Sequence, residues 1–190
     1  MFRNLITKNR SYRRFDNSVT VNQKILKELV GLARMSPSAG NLQPLKYILS
    51  SGPRTNSLIF PCLKWAGYLK RWKGPSEKER PSAYIIILGD TGITRIFGCD
   101  HGIAAQSILL GAAEKGLGGC MLGAIERSKL KNALKIPTRY EILLVIAIGK
   151  PLEKVILETK KRNKDIKYWR DKKTAHHVPK RRLNDIILKR

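Results

Sequence analysis

A chain of 190 residues is long enough for one well-filled core and short for two, so a single domain over 1–190 is expected. Its 38 Lys and Arg against 14 Asp and Glu give a net charge of +24 and a pI near 10.4, which favours polyanionic partners: nucleic acid, an anionic surface or a phosphorylated small molecule. At 42% hydrophobic residues the chain is not a disordered one, and Cys62, Cys99 and Cys120, odd in number and far apart, exclude a disulfide framework and a CxxC metal site. A reducing, cytoplasmic setting fits. No run approaches the ~18 apolar residues of a membrane span, and Lys8 and Arg10 interrupt any signal-peptide core, so a soluble protein without membrane association is expected.

In chain order, Phe2, Leu5 and Ile6 mark one face of a short helix that ends near Asn9 and Arg10. Arg10, Ser11 and Arg13 follow. Two guanidiniums and a hydroxyl so close together suit a phosphate or an electron-rich ring edge, and equally suit a surface turn. Thr20-Val-Asn-Gln23 resembles a capping box, and Ile25, Leu26, Leu29, Val30, Leu32 and Ala33 predict a helix over about 22–35 that stops at Ser36-Pro37. Ser36-Pro37-Ser38-Ala39-Gly40-Asn41-Leu42-Gln43-Pro44 is a polar loop whose amides, hydroxyl and carboxamides suit a polar ligand, and 45–50 reads as a strand.

Between 52 and 82, Trp65, Tyr68, Leu69 and Trp72 are spaced for an aromatic stripe on one helix. That stripe reads as packing, as a wall over a flat ligand, or, with Lys64, Lys70, Arg71 and Lys73, as a single-stranded nucleic-acid surface. Ala83 to Leu88 is a strand covered on both faces. Asp100 is expected to cap a buried, small-residue helix over about 101–115, with His101 a capping or surface histidine. Gly116 fits a helix C-cap, and the glycines after it, Gly118 and Gly119, permit close backbone approach to a ligand. Residues 128–134 read as a short helix and 141–149 as a second buried strand. From 150 to 190, ten Lys and five Arg against five acids make a basic extension ending in the apolar run Leu183 to Leu188, which is expected to return to a core, its own or a partner's. His176-His177 reads as part of a basic surface loop.

No HExxH, GxSxG, paired carboxylates or Cys/His ligand spacing occurs. The polar groups that remain are donors: Arg10, Ser11, Arg13, Ser38, Asn41, Gln43 and Lys180 to Arg182. Donors without an acid, base or nucleophile point to chemistry performed by a bound cofactor, with no metal.

The order Asn9-Arg10-Ser11-Tyr12-Arg13-Arg14-Phe15, a helix, Pro37 to Pro44, an Ala-rich helix, Gly116-Leu-Gly-Gly-Cys120 and Ile146-Ala-Ile-Gly149-Lys-Pro151 resembles the nitroreductase family of FMN-dependent oxidoreductases, over about 5–153. The resemblance implies an α+β fold with a central mixed sheet flanked by helices, assembled as an intertwined homodimer with tightly bound FMN at the interface. It implies that Arg10, Ser11 and Arg13 hold the FMN phosphate, ribityl chain and pyrimidine edge. Pro37, Ser38, Asn41 and Gln43 would come from the other subunit, and Lys180 with Arg181 or Arg182 would complete the phosphate site. Gly118 and Gly119 would bring backbone N–H groups to the flavin, and the 150–190 extension would pack on the partner. Two departures stand out: Leu45 where many relatives carry an aromatic residue, and the 52–82 region. The implied activity is hydride transfer from NADH or NADPH, through FMN, to an electron-poor small molecule of nitroaromatic or quinone type by a ping-pong mechanism. A basic nucleic-acid-binding protein, or the same fold turned to dehalogenation or flavin fragmentation, are the competing readings.

Overall fold

The computed structural model describes residues 2–160 and 165–188; the parts of the basic extension at 161–164 and 189–190 lie outside the described residues. The helices are α1 (Phe2–Lys8), α2 (Gln23–Arg34), α3 (Pro53–Ile59), α4 (Asp100–Glu114) and α5 (Arg127–Ala133), and the strands are β1 (Phe15–Asp16), β2 (Leu45–Ser50), β3 (Ala83–Asp90), β4 (Gly118–Leu122), β5 (Tyr140–Pro151), β6 (Val155–Lys160), β7 (Trp169–Arg170) and β8 (His176–Arg181). The α+β class expected from the sequence is the one observed. The five-stranded sheet runs β2–β3–β5, with β1 and β4 also pairing with β5. Its ladders are antiparallel. Mixed pairing belongs to a second, three-stranded sheet, where β8 runs parallel to β6 and antiparallel to β7.

All eight residues of β3 are buried because the sheet is covered on both faces. The period of two along the strand sorts them: Ile85 and Ile87 join Ile146, Ile148 and the α2 and α4 side chains, while Tyr84, Ile86 and Leu88 join Val145, Ala147, Ile59, Cys62, Trp65 and Leu130. Gly111 lets α4 approach α2, since a Cβ there would strike Leu32. Gly116 terminates the chain's turn out of α4 at φ +68°, a conformation that glycine adopts without strain.

Three sequence expectations are corrected. The N-cap of α2 is Asn22, whose Oδ1 accepts from the Ile25 N–H at 3.0 Å, rather than the capping box at Thr20. The stripe Trp65, Tyr68, Leu69 and Trp72 does not lie on a helix. After α3 the chain makes a short 3-10 turn over Phe60–Cys62 and then irregular turns, with Ala66 at φ +42° and Gly74 at φ +117° overriding the periodicity. His176-His177 is not a surface loop: it begins strand β8, and His176 is 1% exposed.

Candidate active site

The stretch Asn9 to Arg14 is laid along the edge of β4. Ser11 forms a parallel bridge with Gly119, and the Tyr12 N–H donates to the Gly119 carbonyl at 3.0 Å. The carbonyls of α1 hold two side chains: Arg10 Nη2 donates to Ile6 O at 2.6 Å and Tyr12 Oη to Lys8 O at 2.9 Å. On the other side, buried Glu153 accepts from the backbone N–H groups of both Arg13 and Arg14. The segment is thus fixed by its backbone, and the Arg10 and Arg13 side chains both line one cavity.

That cavity, about 380 Å³, brings together Arg10, Ser11 and Arg13 with Lys180, and its walls include Gln106, Met121, Tyr168 and His176. Lys180 arrives by strand alternation: His176, Val178 and Lys180 are every second residue of β8 and all line the cavity. No carboxylate is among the lining residues, and the buried Nε of Arg10 has no partner among the described residues. Three cations and a hydroxyl around such a space attract an anionic, acceptor-rich ligand.

The other sequence-derived candidates lie elsewhere. Pro37, Ser38 and Gln43 line a separate cleft of about 230 Å³ with Lys46, Tyr47 and Asp100. Asn41 and Gln43 are exposed at φ +52° and +50°, and the Gln43 amide donates to Asn41 Oδ1 at 3.1 Å. Ser38 Oγ donates to Asp100 Oδ2 at 2.6 Å and accepts from the Gln43 N–H at 3.0 Å. Asp100 is therefore a tether for the polar loop, which it also holds through the Ala39 N–H at 3.1 Å; the N-cap of α4 is Cys99.

Gly118 and Gly119 are buried in β4, and packing accounts for both. A Cβ on Gly118 would strike Tyr12 and lie 2.7 Å from Pro151, and one on Gly119 would lie 2.5 Å from the Ala147 carbonyl oxygen and 2.6 Å from Leu109. The close approach these glycines allow is to the protein itself, and the β4 residue that lines the cavity is Met121. Arg181 and Arg182 are exposed outside the cavity, with Arg182 paired to Asp185 at 3.2 Å.

Sequence reasoning missed Glu153, Tyr168 and His176. Tyr168 lies 4.8 Å from the Arg13 guanidinium carbon to ring centre, and its ring is 5.1 Å from that of His176. Burial first, then the charges of Arg13 and Arg170, push the His176 imidazole down to about 4, so it is neutral at ordinary pH. His177, on the opposite face of β8, is held between Asp171 at 3.2 Å and Glu158 at 2.6 Å, and its pKa is raised chiefly by the Asp171 contact.

The sequence model of the nitroreductase family matches residues 6–66 and 69–150. This chain belongs to the nitroreductase family. As such it is an oxidoreductase by family. Among solved structures, a nitroreductase family protein from Streptococcus pneumoniae TIGR4 is similar over 100% of both chains at 16% identity and a TM-score of 0.72. One from Clostridium novyi NT is 24% identical, with 80% of this chain and 86% of that chain covered and a TM-score of 0.68. An FMN-dependent nitroreductase from Clostridium difficile R20291 is 24% identical over 79% of this chain and 87% of that one, at a TM-score of 0.66. These likenesses are of fold. No helix among the described residues is long and apolar enough to cross a membrane, and no group of three or more His, Cys, Asp or Glu side chains among them is placed to hold a metal ion.

Proposed function

We propose that the cavity at Arg10, Ser11, Arg13 and Lys180 holds FMN and that the enzyme passes reducing equivalents from NADH or NADPH to an electron-poor acceptor of nitroaromatic or quinone type. The observation that carries this reading is the acid-free donor set in one cavity, with a buried Arg10 Nε that has no partner among the described residues. FMN presents a phosphate and a ring edge of acceptors, so these residues fit it, and about 380 Å³ falls within the ~300–1,000 Å³ range of small-molecule sites. Bound FMN supplies the hydride-accepting and hydride-donating chemistry. Arg10, Ser11 and Lys180 would neutralise and hydrogen-bond its phosphate and side chain. Arg13 would set a fixed positive charge near the ring, and a guanidinium that favours the anionic reduced form raises the reduction potential. With the hydride donor and the acceptor using one face of the bound flavin in turn, the kinetics would be ping-pong.

The polar loop 36–44 faces its own cleft within the chain, so for it to serve the same cofactor it must come from a second copy. Two apolar surfaces support a homodimer: Phe2 and Met35, 68% and 67% exposed beside the groove of α1, α2 and α4, and Leu183, Ile186, Ile187 and Leu188, all exposed after β8. Three free cysteines accord with a cytoplasmic setting. The deciding experiment is the absorption spectrum of the purified protein, with the released cofactor identified after denaturation. Flavin bands, loss of FMN retention in Arg13→Ala and oxidation of NADH or NADPH with a quinone are expected. A colourless protein that takes up no FMN would refute the reading, and products from a halogenated phenol, or from FMN with oxygen, would redirect it to another flavin reaction.

A further inference from the structure

One side chain in the cavity wall has no part in the chemistry above. His176 is buried, and its Nε2 lies 3.1 Å from Arg13 Nη1. A guanidinium can only donate, so Nε2 accepts and the neutral ring carries its proton on Nδ1. Nδ1 is itself buried, without a partner among the described residues. A buried donor left unpaired is destabilising, so the ring's own hydrogen bonding does not explain its position. Its contact with Arg13 does. Arg13 Nη1 also donates to Ser11 O at 3.1 Å, and the Tyr168 ring packs on the guanidinium, so the arginine is held from three directions. The charged groups around His176 are Arg13 from the stretch before β1, Arg170 of β7, its neighbour His177 in β8 and Lys180 on the same cavity; Tyr168 adds a phenol, and Glu153 is engaged by Arg170 at 2.9 Å. The cations among them disfavour an imidazolium, which would lose the acceptor that Arg13 needs.

We propose that His176 is the positioning residue for Arg13: a neutral imidazole acceptor, delivered by strand β8, that aims the guanidinium into the cavity and so governs FMN affinity and reduction potential. The inference rests on the FMN reading. It gives the tail a second task besides bringing Lys180, because the strand that carries a phosphate-binding cation also orients the residue that acts on the ring.

The test compares the full-length protein with His176→Gln, whose amide oxygen still accepts, and His176→Leu, which cannot. FMN dissociation constants and midpoint potentials are measured on each. His176→Leu is expected to weaken FMN about tenfold. Its potential should fall by about 30 mV for every tenfold lost in preference for reduced over oxidised FMN. His176→Gln is expected to stay close to wild type. A second readout needs no flavin: histidine NMR titration of the FMN-free protein, in which Arg13→Met should raise the His176 midpoint from about 4. A His176→Leu protein with wild-type melting, wild-type FMN affinity and wild-type potential overturns the proposal. An unshifted titration in Arg13→Met overturns the contact alone, whereas a wild-type protein that takes up no FMN overturns the FMN reading together with everything built on it.

Discussion

Glu153 is the joint between the first arginine stretch and the tail, and Glu153→Gln tests whether the site depends on it. Its side chain is 0% exposed. One oxygen accepts the backbone N–H groups of Arg13 and Arg14, while the other accepts from Arg170 Nη2 at 2.9 Å, with the Arg170 side chain 15% exposed and lying 4.7 Å over the Trp72 ring. Glutamine keeps one acceptor for the two amides but removes the charge facing Arg170 and leaves that guanidinium buried without its counter-ion. Removing one partner of a buried pair costs about 3–5 kcal/mol, and the retained acceptor places this change near about 3. For a chain of this size that is a fall in Tm of roughly 6–12 °C. Thermal unfolding by circular dichroism on the flavin-free protein measures it. Adding Arg170→Met removes the orphaned charge, so the double variant should recover part of the loss, with a coupling of roughly 1–2 kcal/mol. A single variant melting within about 2 °C of wild type, or strictly additive singles, would refute the argument.

Gly119→Ala should cost about 1–3 kcal/mol by overpacking, because the new methyl would sit 2.5 Å from the Ala147 carbonyl oxygen; denaturant unfolding measures it, and a neutral result would contradict the packing account of that glycine. Asp100→Asn removes the charge from the acceptor of Ser38 Oγ and the Ala39 N–H, so amide exchange across 36–44 should speed by about tenfold while β3 is unaffected. His177 has a folded pKa raised above 6.5, first by Asp171, so its contribution is fully present below pH 6.5 and disappears as pH rises through the elevated value. The melting gap between wild type and His177→Gln should therefore narrow from about pH 6 to about pH 8, and a widening gap would reverse the sign of the assignment.

What the sequence disclosed followed the range of the signal. The apolar run Ala83 to Leu88, the helical spacing of Leu26, Leu29 and Ala33, and Gly116 at φ +68° are local patterns, and each produced the element they predict. Residue type marked Arg10, Ser11, Arg13 and Lys180 as donors without an acid, but marked Ser38, Asn41, Gln43, Arg181 and Arg182 equally; only the fold separates the four that share a cavity. His176 and Glu153 had no such mark. They reach Arg13 across 163 and 140 residues, and nothing in the neighbouring sequence indicates a buried histidine or a buried carboxylate. The aromatic spacing from Trp65 to Trp72 misled because a helical period has no force where the backbone turns: Trp65 is buried, Tyr68 is 56% exposed against Tyr168, and Trp72 lies under Arg170.

The placement of His176 and Lys180 depends on register. Successive residues of a strand point to opposite faces, so a slip of one residue in β8 would turn His177 and Pro179 into the cavity and His176 and Lys180 away from it. The parallel ladder pairs Ile156 with His177 and Glu158 with Pro179, and the His177 ring, stacked on Trp169 at 4.0 Å, bridges the Glu158 carboxylate of β6 to Asp171 beyond β7. A slipped strand would lose both carboxylate contacts and bury His177 among cations. The two adjacent histidines thus act as opposites: His177, paired with two carboxylates on the outer face, pins the register in which His176, without a partner at Nδ1 among the described residues, meets Arg13. This is the physical basis for assigning the basic extension, as far as Lys180, to the wall of the cavity proposed for FMN rather than to a solvated tail.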